Sequence, residues 1–341
     1  MKRLKVAQIG IGHDHAVPTF DSCLRQSELF EMAAYAPGIG EEDRTPHDTF
    51  TKNGVPRMTP EELLEIPGLD AVIVETDDWH LTEYALAAVK KGLPVHMDKP
   101  GTPSQEEFDE LCRAAINGNV PLQLGYMYRY NPMIIDLMQQ IKNGELGEIF
   151  CVEAHMDCEH VANKRQWLDH FKGGMMYFLG CHLVDLIVQI CGVPEEVIPM
   201  NAVIGHEGVT AEDFGMASFR YKNGYSFAKT CALEYGGFLR RQLVVCGTKK
   251  TVELRPLEQA VENGLQITRS RVCTPGKGWN TDGVYDKSEA VNRYDSMMAD
   301  FAAMARGEKT NPVSLEYEAQ LHRIILAACG EKIDYTKKLE L

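Results

Sequence analysis

The segment "GGMMYFLGCHLVD" (173–185) puts His182 and Asp185 three residues apart inside an otherwise apolar run. An imidazole there can take up a proton near neutral pH, and a carboxylate can orient it or hold a hydroxyl. On a helix, Phe178, His182, Asp185 and Gln189 fall at i, i+4, i+7 and i+11, which is one face. The polar members then form a stripe on a buried helix, where they need partners. A cleft holding substrate, water and a lysine supplies them. A His182–Asp185 hydrogen bond in a core does so too, and is the commoner arrangement on a helix taken at random.

Two further segments carry complementary chemistry. In "GIGHDH" (10–15), which follows an apolar run, Gly10 permits a tight turn and Gly12 lets backbone N–H groups approach a pyrophosphate at a helix N-terminus. His15 stands where a third glycine is usual, so the pattern is G-x-G-x-x-H, and His13 and His15 join the glycines as cofactor-loop candidates. In "VHMDKPGTPS" (95–104), Asp98 and Lys99 follow a strand-like run, where ligands bind in parallel α/β sheets. The Lys99 ammonium can polarise a substrate hydroxyl and stabilise the alkoxide as hydride leaves; a surface turn is the plainer alternative.

The acid that normally bonds the adenosine ribose is missing from the end of the second strand, which reads Ala36-Pro37. Glu41, Glu42 and Asp43 can replace it if their loop folds back. These acids repel a 2′-phosphate and only Arg44 attracts one, so the expected cofactor is NAD rather than NADP, with NADP still possible. Ala36, Thr76, Asp77, Trp79, His80, Asp98, Lys99 and Met127 complete the expected cofactor surroundings.

On the substrate side, Glu153, His155 and Asp157 alternate along "EIFCVEAHMDCEH" and therefore share one face of a strand, with His160 just beyond. Such a row suits a polyhydroxylated substrate, or else the solvated outer face of a sheet. Tyr126 and Arg129 in "YMYRYNP" lie at the expected domain junction, where Arg129 can meet substrate oxygens or form a salt bridge. Trp167 and His170 precede the histidine helix and can rim the pocket. His155, Asp157, His160 and His182 match no metal-ligand spacing, so no metal is expected.

The elements that must position these groups can be read coarsely. Strand-like runs at 4–10, 30–36, 69–76, 93–98 and 120–125 alternate with helical patterns at 80–92 and 104–119, the second opened by Ser104 and Glu107 as a capping box. That is a parallel sheet covered by helices. From about residue 126 the texture changes to alternating runs, with Asn223-Gly224 as a hairpin signal, a second hairpin region at 240–256, and two closing helices near 289–306 and 314–332. The expected organisation is α/β, with a Rossmann domain over 1–125 and an α/β domain on a mostly antiparallel open sheet over 126–341.

Composition restricts the partners. Lys and Arg number 35 against 49 Asp and Glu, a net charge of −14 that argues against nucleic acid. The N-terminal apolar stretch is short and interrupted by Gln8 and glycines, so neither export nor a membrane is indicated and a cytoplasmic location is expected. Ten cysteines without a C-x-x-C pair suit reduced thiols.

Taken in order, "GIGHDH", "DAVIVETDDWHLTEYALAAVKKGLPVHMDKP", "LGYMYRYNP", "GGMMYFLGCHLVDL", "CGTKKTVEL" and "YDSMMADFAAMARGE" resemble the glucose-fructose oxidoreductase / inositol dehydrogenase (Gfo/Idh/MocA) family over nearly the whole chain. The resemblance implies reversible hydride transfer between nicotinamide and the hydroxyl of a sugar, cyclitol or glycoside. It puts Lys99 and His182 at the reacting carbinol, reversing the odds for His182, and implies a dimer or tetramer. The family commonly has aspartate four residues before that histidine, where this chain has Phe178. Either another acid, Asp185 or one on the 148–160 strand, supports a working His182, or turnover is lost and the protein is a cofactor- or sugar-binding sensor. A third option is redox-assisted glycoside cleavage that consumes no net NAD.

Overall fold

The apolar runs of the first third form a five-stranded, all-parallel sheet: β1 (Leu4–Ile9), β2 (Phe30–Ala36), β3 (Ala71–Val74), β4 (Val95–Met97) and β5 (Leu122–Leu124), in the order β2-β1-β3-β4-β5. This comes from a computed structural model, which describes residues 2–276 and 282–341. Every residue of β3 is buried, as its unbroken AVIV sequence requires of a strand covered on both faces. Helices α1 (Ala16–Arg25), α2 (Asp48–Thr51), α3 (Pro60–Leu64), α4 (Leu81–Lys90) and α5 (Gln105–Gly118) make the connections. Ser104 caps α5 by accepting from the Glu107 amide at 3.4 Å. Strand order reverses between β1 and β3, the switch point at whose carboxyl edge such sheets bind ligands.

The chain divides into two compact units, Met1–Met127 with Tyr294–His322 and Lys337–Leu341, and Tyr128–Arg293 with Arg323–Thr336. The closing helices are α9 (Asp295–Ala305) and α10 (Leu315–Ala328), and α9 belongs to the first unit rather than the second. It buries Met297, Met298 and Phe301, and it is tied down by Ser22 Oγ to Asp295 at 2.7 Å and Gln123 Nε2 to the Met297 carbonyl at 3.1 Å. Periodicity reveals a helix but not the sheet it will cover.

The second unit holds α6 (Pro132–Lys142), β6 (Ile149–Asp157), α7 (Ala162–Trp167), a π-turn at Met176–Gly180, α8 (Cys181–Cys191), β7 (Glu196–Pro199), β8 (Phe214–Tyr221), β9 (Gly224–Cys231), β10 (Gln242–Gly247) and β11 (Thr251–Leu254). With Arg269–Cys273 and Val284–Lys287 these strands make an eight-stranded sheet in which only β6 and β9 pair in parallel. Tyr221 pairs with Gly224, so the β8–β9 loop is Lys222-Asn223, one residue earlier than the Asn-Gly signal suggests. One face, including Val152, Ala154, Met156, Ala217, Phe219 and Ala228, is fully buried.

A buried ion cluster ties this unit together. Glu258 accepts from Tyr128 Oη at 2.5 Å, Arg241 Nη1 at 2.9 Å and Arg293 Nη2 at 2.8 Å. Burial pushes the Glu258 carboxyl up, but the Arg293 and Arg241 guanidiniums outweigh it and hold it below its ordinary value. Its stabilising contribution is therefore present above the unfolded carboxyl pKa of 4.5 and is lost as pH falls through the lower folded value. Glu258→Gln leaves the buried Arg241 and the half-buried Arg293 guanidiniums short of a counter-charge and is expected to destabilise the fold by about 3 kcal/mol at pH 7. Urea melts at pH 7 and at pH 3 check both statements: the gap between wild type and variant should narrow in acid.

Candidate functional site

The turn after β1 is shaped as a dinucleotide loop requires. Gly10 has φ +105°, and a Cβ there would lie 2.1 Å from the Glu75 carbonyl carbon, so no side chain fits where the loop crosses the end of β3. Gly10 also donates to the Ala36 carbonyl at 2.8 Å. The acidic loop does fold back. Glu41, buried, accepts from the amides of Ile11 at 2.8 Å, Gly12 at 3.1 Å and Gly38 at 2.9 Å, while Arg44 Nη1 donates to the Gly12 carbonyl at 2.9 Å. Converging amides make an anion-binding nest, and here its anion is a side chain. A carboxylate thus stands at the loop five residues past the end of β2. These features fit an NAD adenosine half.

Behind the loop lies a buried ionisable cluster. His13 Nδ1 is 2.5 Å and His15 Nδ1 2.9 Å from Asp98 Oδ2. His13 Nε2 faces Asp78 Oδ1 at 3.7 Å, and Glu75 lies 3.7 Å from His13 Nδ1 and 3.6 Å from His96 Nε2. Burial alone would lower the His13 imidazole, but the Asp98 and Asp78 carboxylates raise it to about 10. Burial dominates at His15 and lowers it to about 4. Asp98 is driven up by burial and more strongly down by His13, His15 and Lys99, ending well below its ordinary value. The remaining Asp98 oxygen accepts the Lys99 amide at 2.8 Å, and Gly125 must be glycine because a Cβ would meet that oxygen at 2.4 Å. Lys99 itself is 1 % exposed, at the carboxyl end of β4 rather than in a surface turn. Glu75 and Asp78 carry no motif signal, and only the sheet order brings them here.

Other expected cofactor residues sit along the same edge. Thr76 is buried against Gly38, and Asp77 Oδ1 accepts the Trp79 amide at 3.1 Å. Trp79 and His80 line a cleft of about 400 Å³ with Glu83, Thr102, Pro103, Ser104 and Glu107. Tyr126 and Met127, both buried, follow β5 directly.

In the second unit, His182 is buried on α8 with the Tyr128 ring edge-on at 5.0 Å. Asp185, three residues on, is held from another element. Arg129 grips Asp185 in a bidentate pair, Nε to Oδ2 at 3.0 Å and Nη2 to Oδ1 at 2.8 Å, and Gln189 Nε2 adds a bond to Oδ2 at 2.8 Å. Asp157, the acid offered on β6, has a cationic partner of its own. It is bound by Lys229 Nζ at 2.9 Å, part of a group with Glu234 and Arg240. Glu153, His155 and Asp157 alternate with the buried Val152, Ala154 and Met156 and so line the opposite face of β6. Burial lowers the His155 imidazole, with Lys229 adding to the effect.

Phe178 lies in the π-turn, not in α8, so the single α-helical face drawn through 178, 182 and 185 is interrupted. Its ring packs with Leu168, Met175, Val209, Ala211 and Ala232, edge-on to Trp167 at 5.4 Å, and Lys164 Nζ stands 4.5 Å above it. His160 approaches the same ring at 6.3 Å, and His170 Nδ1 lies 2.6 Å from the Trp167 carbonyl.

No helix among the described residues is long and apolar enough to cross a membrane. The family model "Oxidoreductase family, NAD-binding Rossmann fold" matches residues 11–126, and "GFO/IDH/MocA C-terminal domain" matches 134–253. Two Bacillus subtilis relatives are scyllo-inositol 2-dehydrogenase (NADP(+)) IolW, 26% identical over 52% of this chain and 48% of its own, and scyllo-inositol 2-dehydrogenase (NAD(+)), 34% identical over 46% and 43%. The chain therefore spans about half the length of these curated relatives. Levoglucosan dehydrogenase, solved with NADH and levoglucosan, shares the fold over 96% of this chain and 98% of its own with a TM-score of 0.78 at 14% identity. Loop, sheet order and both matched segments agree: the chain belongs to the Gfo/Idh/MocA oxidoreductase family, with an NAD-binding Rossmann domain followed by that family's C-terminal α/β domain.

Proposed function

We propose that the chain transfers a hydride between nicotinamide and the hydroxyl of a sugar, cyclitol or glycoside, with Lys99 and His182 at the reacting carbinol. The observation that carries this reading is Lys99, a lysine buried at the carboxyl end of β4 within an NAD-binding Rossmann unit. Bound nicotinamide supplies the hydride acceptor or donor at its C4. Lys99 stabilises the negative charge that develops on the carbinol oxygen, and His182 accepts the hydroxyl proton. Tyr126, Arg129, His155, Asp157 and Asp185 are the proposed substrate-side residues, with Arg129 holding Asp185 in place. The inositol and levoglucosan dehydrogenases among the relatives support a polyhydroxylated substrate.

A sensor without turnover is the second reading, and the apolar packing of Phe178 at the family's aspartate position favours it. Following NADH absorbance against a panel of sugars, inositols and glycosides separates the two. Turnover of any member supports the enzyme. Cofactor binding by calorimetry with no absorbance change across the panel supports the sensor.

The cofactor choice is tested in the same titrations. A 2′-phosphate beside Glu41 meets a like charge, a juxtaposition that costs several kcal/mol. NAD should bind about tenfold or more tighter than NADP, and Glu41→Gln should shrink that ratio. A preference for NADP in the wild type would overturn the assignment of Glu41 to the ribose.

A further inference from the structure

His13, His15 and Asp98 converge so that one ligand atom from each lies within 4.8 Å of the others, the only such group of potential metal ligands among the described residues. We propose that these three side chains bind a first-row divalent transition-metal ion of the Zn²⁺ class, tying the first β–α loop to the segment that carries Lys99.

Two imidazoles and one carboxylate form a ligand set suited to zinc and its borderline neighbours, and three protein ligands leave a position open for water or a ligand oxygen. Tetrahedral bonds of about 2.0–2.1 Å separate ligand atoms by roughly 3.3 Å. The present 2.5 and 2.9 Å spacings to Asp98 Oδ2 thus need to open by less than about 1 Å. Asp98 moves on a firm support, since its other oxygen is held by the Lys99 amide. The backbone N–H of His15 donates to His13 Nδ1 at 3.1 Å, and because that nitrogen has a single in-plane lone pair this bond opens as the ion binds.

Independent observations point the same way. The cluster is almost fully buried, and the carboxylate oxygens of Asp78 and Glu75 make no hydrogen bond of normal length among the described residues, facing imidazole nitrogens at 3.6–3.7 Å. Carboxylate oxygens so placed in a dry interior are costly and call for a cation. Asp78 stands 3.7 Å from His13 Nε2, on the side of the ring away from Asp98. That is the place from which a second carboxylate orients a metal-ligating histidine.

The test uses the full chain, stripped with chelator and titrated with ZnCl₂ by calorimetry in the absence of nicotinamide and sugar, so its outcome is independent of the hydride-transfer reading. One equivalent should bind with a dissociation constant below about 1 µM and raise Tm. His15→Gly restores the usual loop glycine and Asp98→Asn is isosteric. Each should weaken binding by about 100-fold or more while the circular dichroism spectrum stays native, and Asp78→Asn should weaken it by about 10–100-fold at unchanged stoichiometry. Absence of binding by the wild type, or equal binding by wild type, His15→Gly and Asp98→Asn, would overturn the site; in that event His13 and Asp98 form a plain ion pair. If His15→Gly does not fold, Asp98→Asn decides alone.

Discussion

Lys99→Met is expected to lower turnover by about 10³-fold while the dissociation constant for NAD changes by less than about threefold. A donor aimed at a developing oxyanion acts mainly in the transition state, and removing even a neutral one costs about 10²–10³ in kcat. Lys99 acts in a buried setting, where electrostatic interactions are stronger, which places the expectation at the upper end. Methionine nearly conserves the side-chain volume, and the bond from residue 99 to Asp98 is made by the backbone amide, so the substitution leaves the segment's anchoring in place. Steady-state rates with a turned-over sugar, calorimetry with NAD and a melting curve read the three quantities separately. Unchanged turnover would remove Lys99 from the chemistry, and a parallel collapse of NAD affinity would make it a binding residue instead.

How far the sequence went depends on whether a feature is local. The five parallel strands were legible because each buried strand is its own apolar run, as in Ala71–Val74, and the loop was legible because Gly10 and Gly12 answer to backbone sterics within a few residues. The antiparallel sheet was legible through alternation. What needed the third dimension was contact across the chain. Glu41 finds the loop amides because residues 37–41 turn back under β1, and nothing in "GIGEED" specifies that turn. Glu75 and Asp78 join His13 only because β3 lies beside β1 and β4. Arg129 meets Asp185 from 56 positions away in a bidentate pair that no local spacing announces. The π-turn at Met176–Gly180 was also invisible, because a π-turn and an α-turn differ in hydrogen-bond partners rather than in apolar pattern.

The π-turn bears directly on the second large effect. His182→Ala should lower turnover by about 100-fold or more, the usual scale for losing a general base, with its apolar surroundings and the Tyr128 ring preserving the fold. Phe178→Asp should not compensate for the missing family aspartate. Phe178 packs among Leu168, Met175 and Val209 and against the Trp167 ring, so a carboxylate at 178 enters an apolar cluster and bears the desolvation cost of that burial. Lys164 Nζ stands 4.5 Å over the ring and would draw the new carboxylate toward α7. The expected outcome is a lower Tm and a rate no higher than that of the wild type. Measured with one turned-over substrate, a rate gain of tenfold or more from a nearly inactive parent would mean that the aspartate was the missing part. The wild-type chain would then be better described as a cofactor-binding sensor, because a working general base would have gained little from an acid its pocket had been rebuilt to exclude.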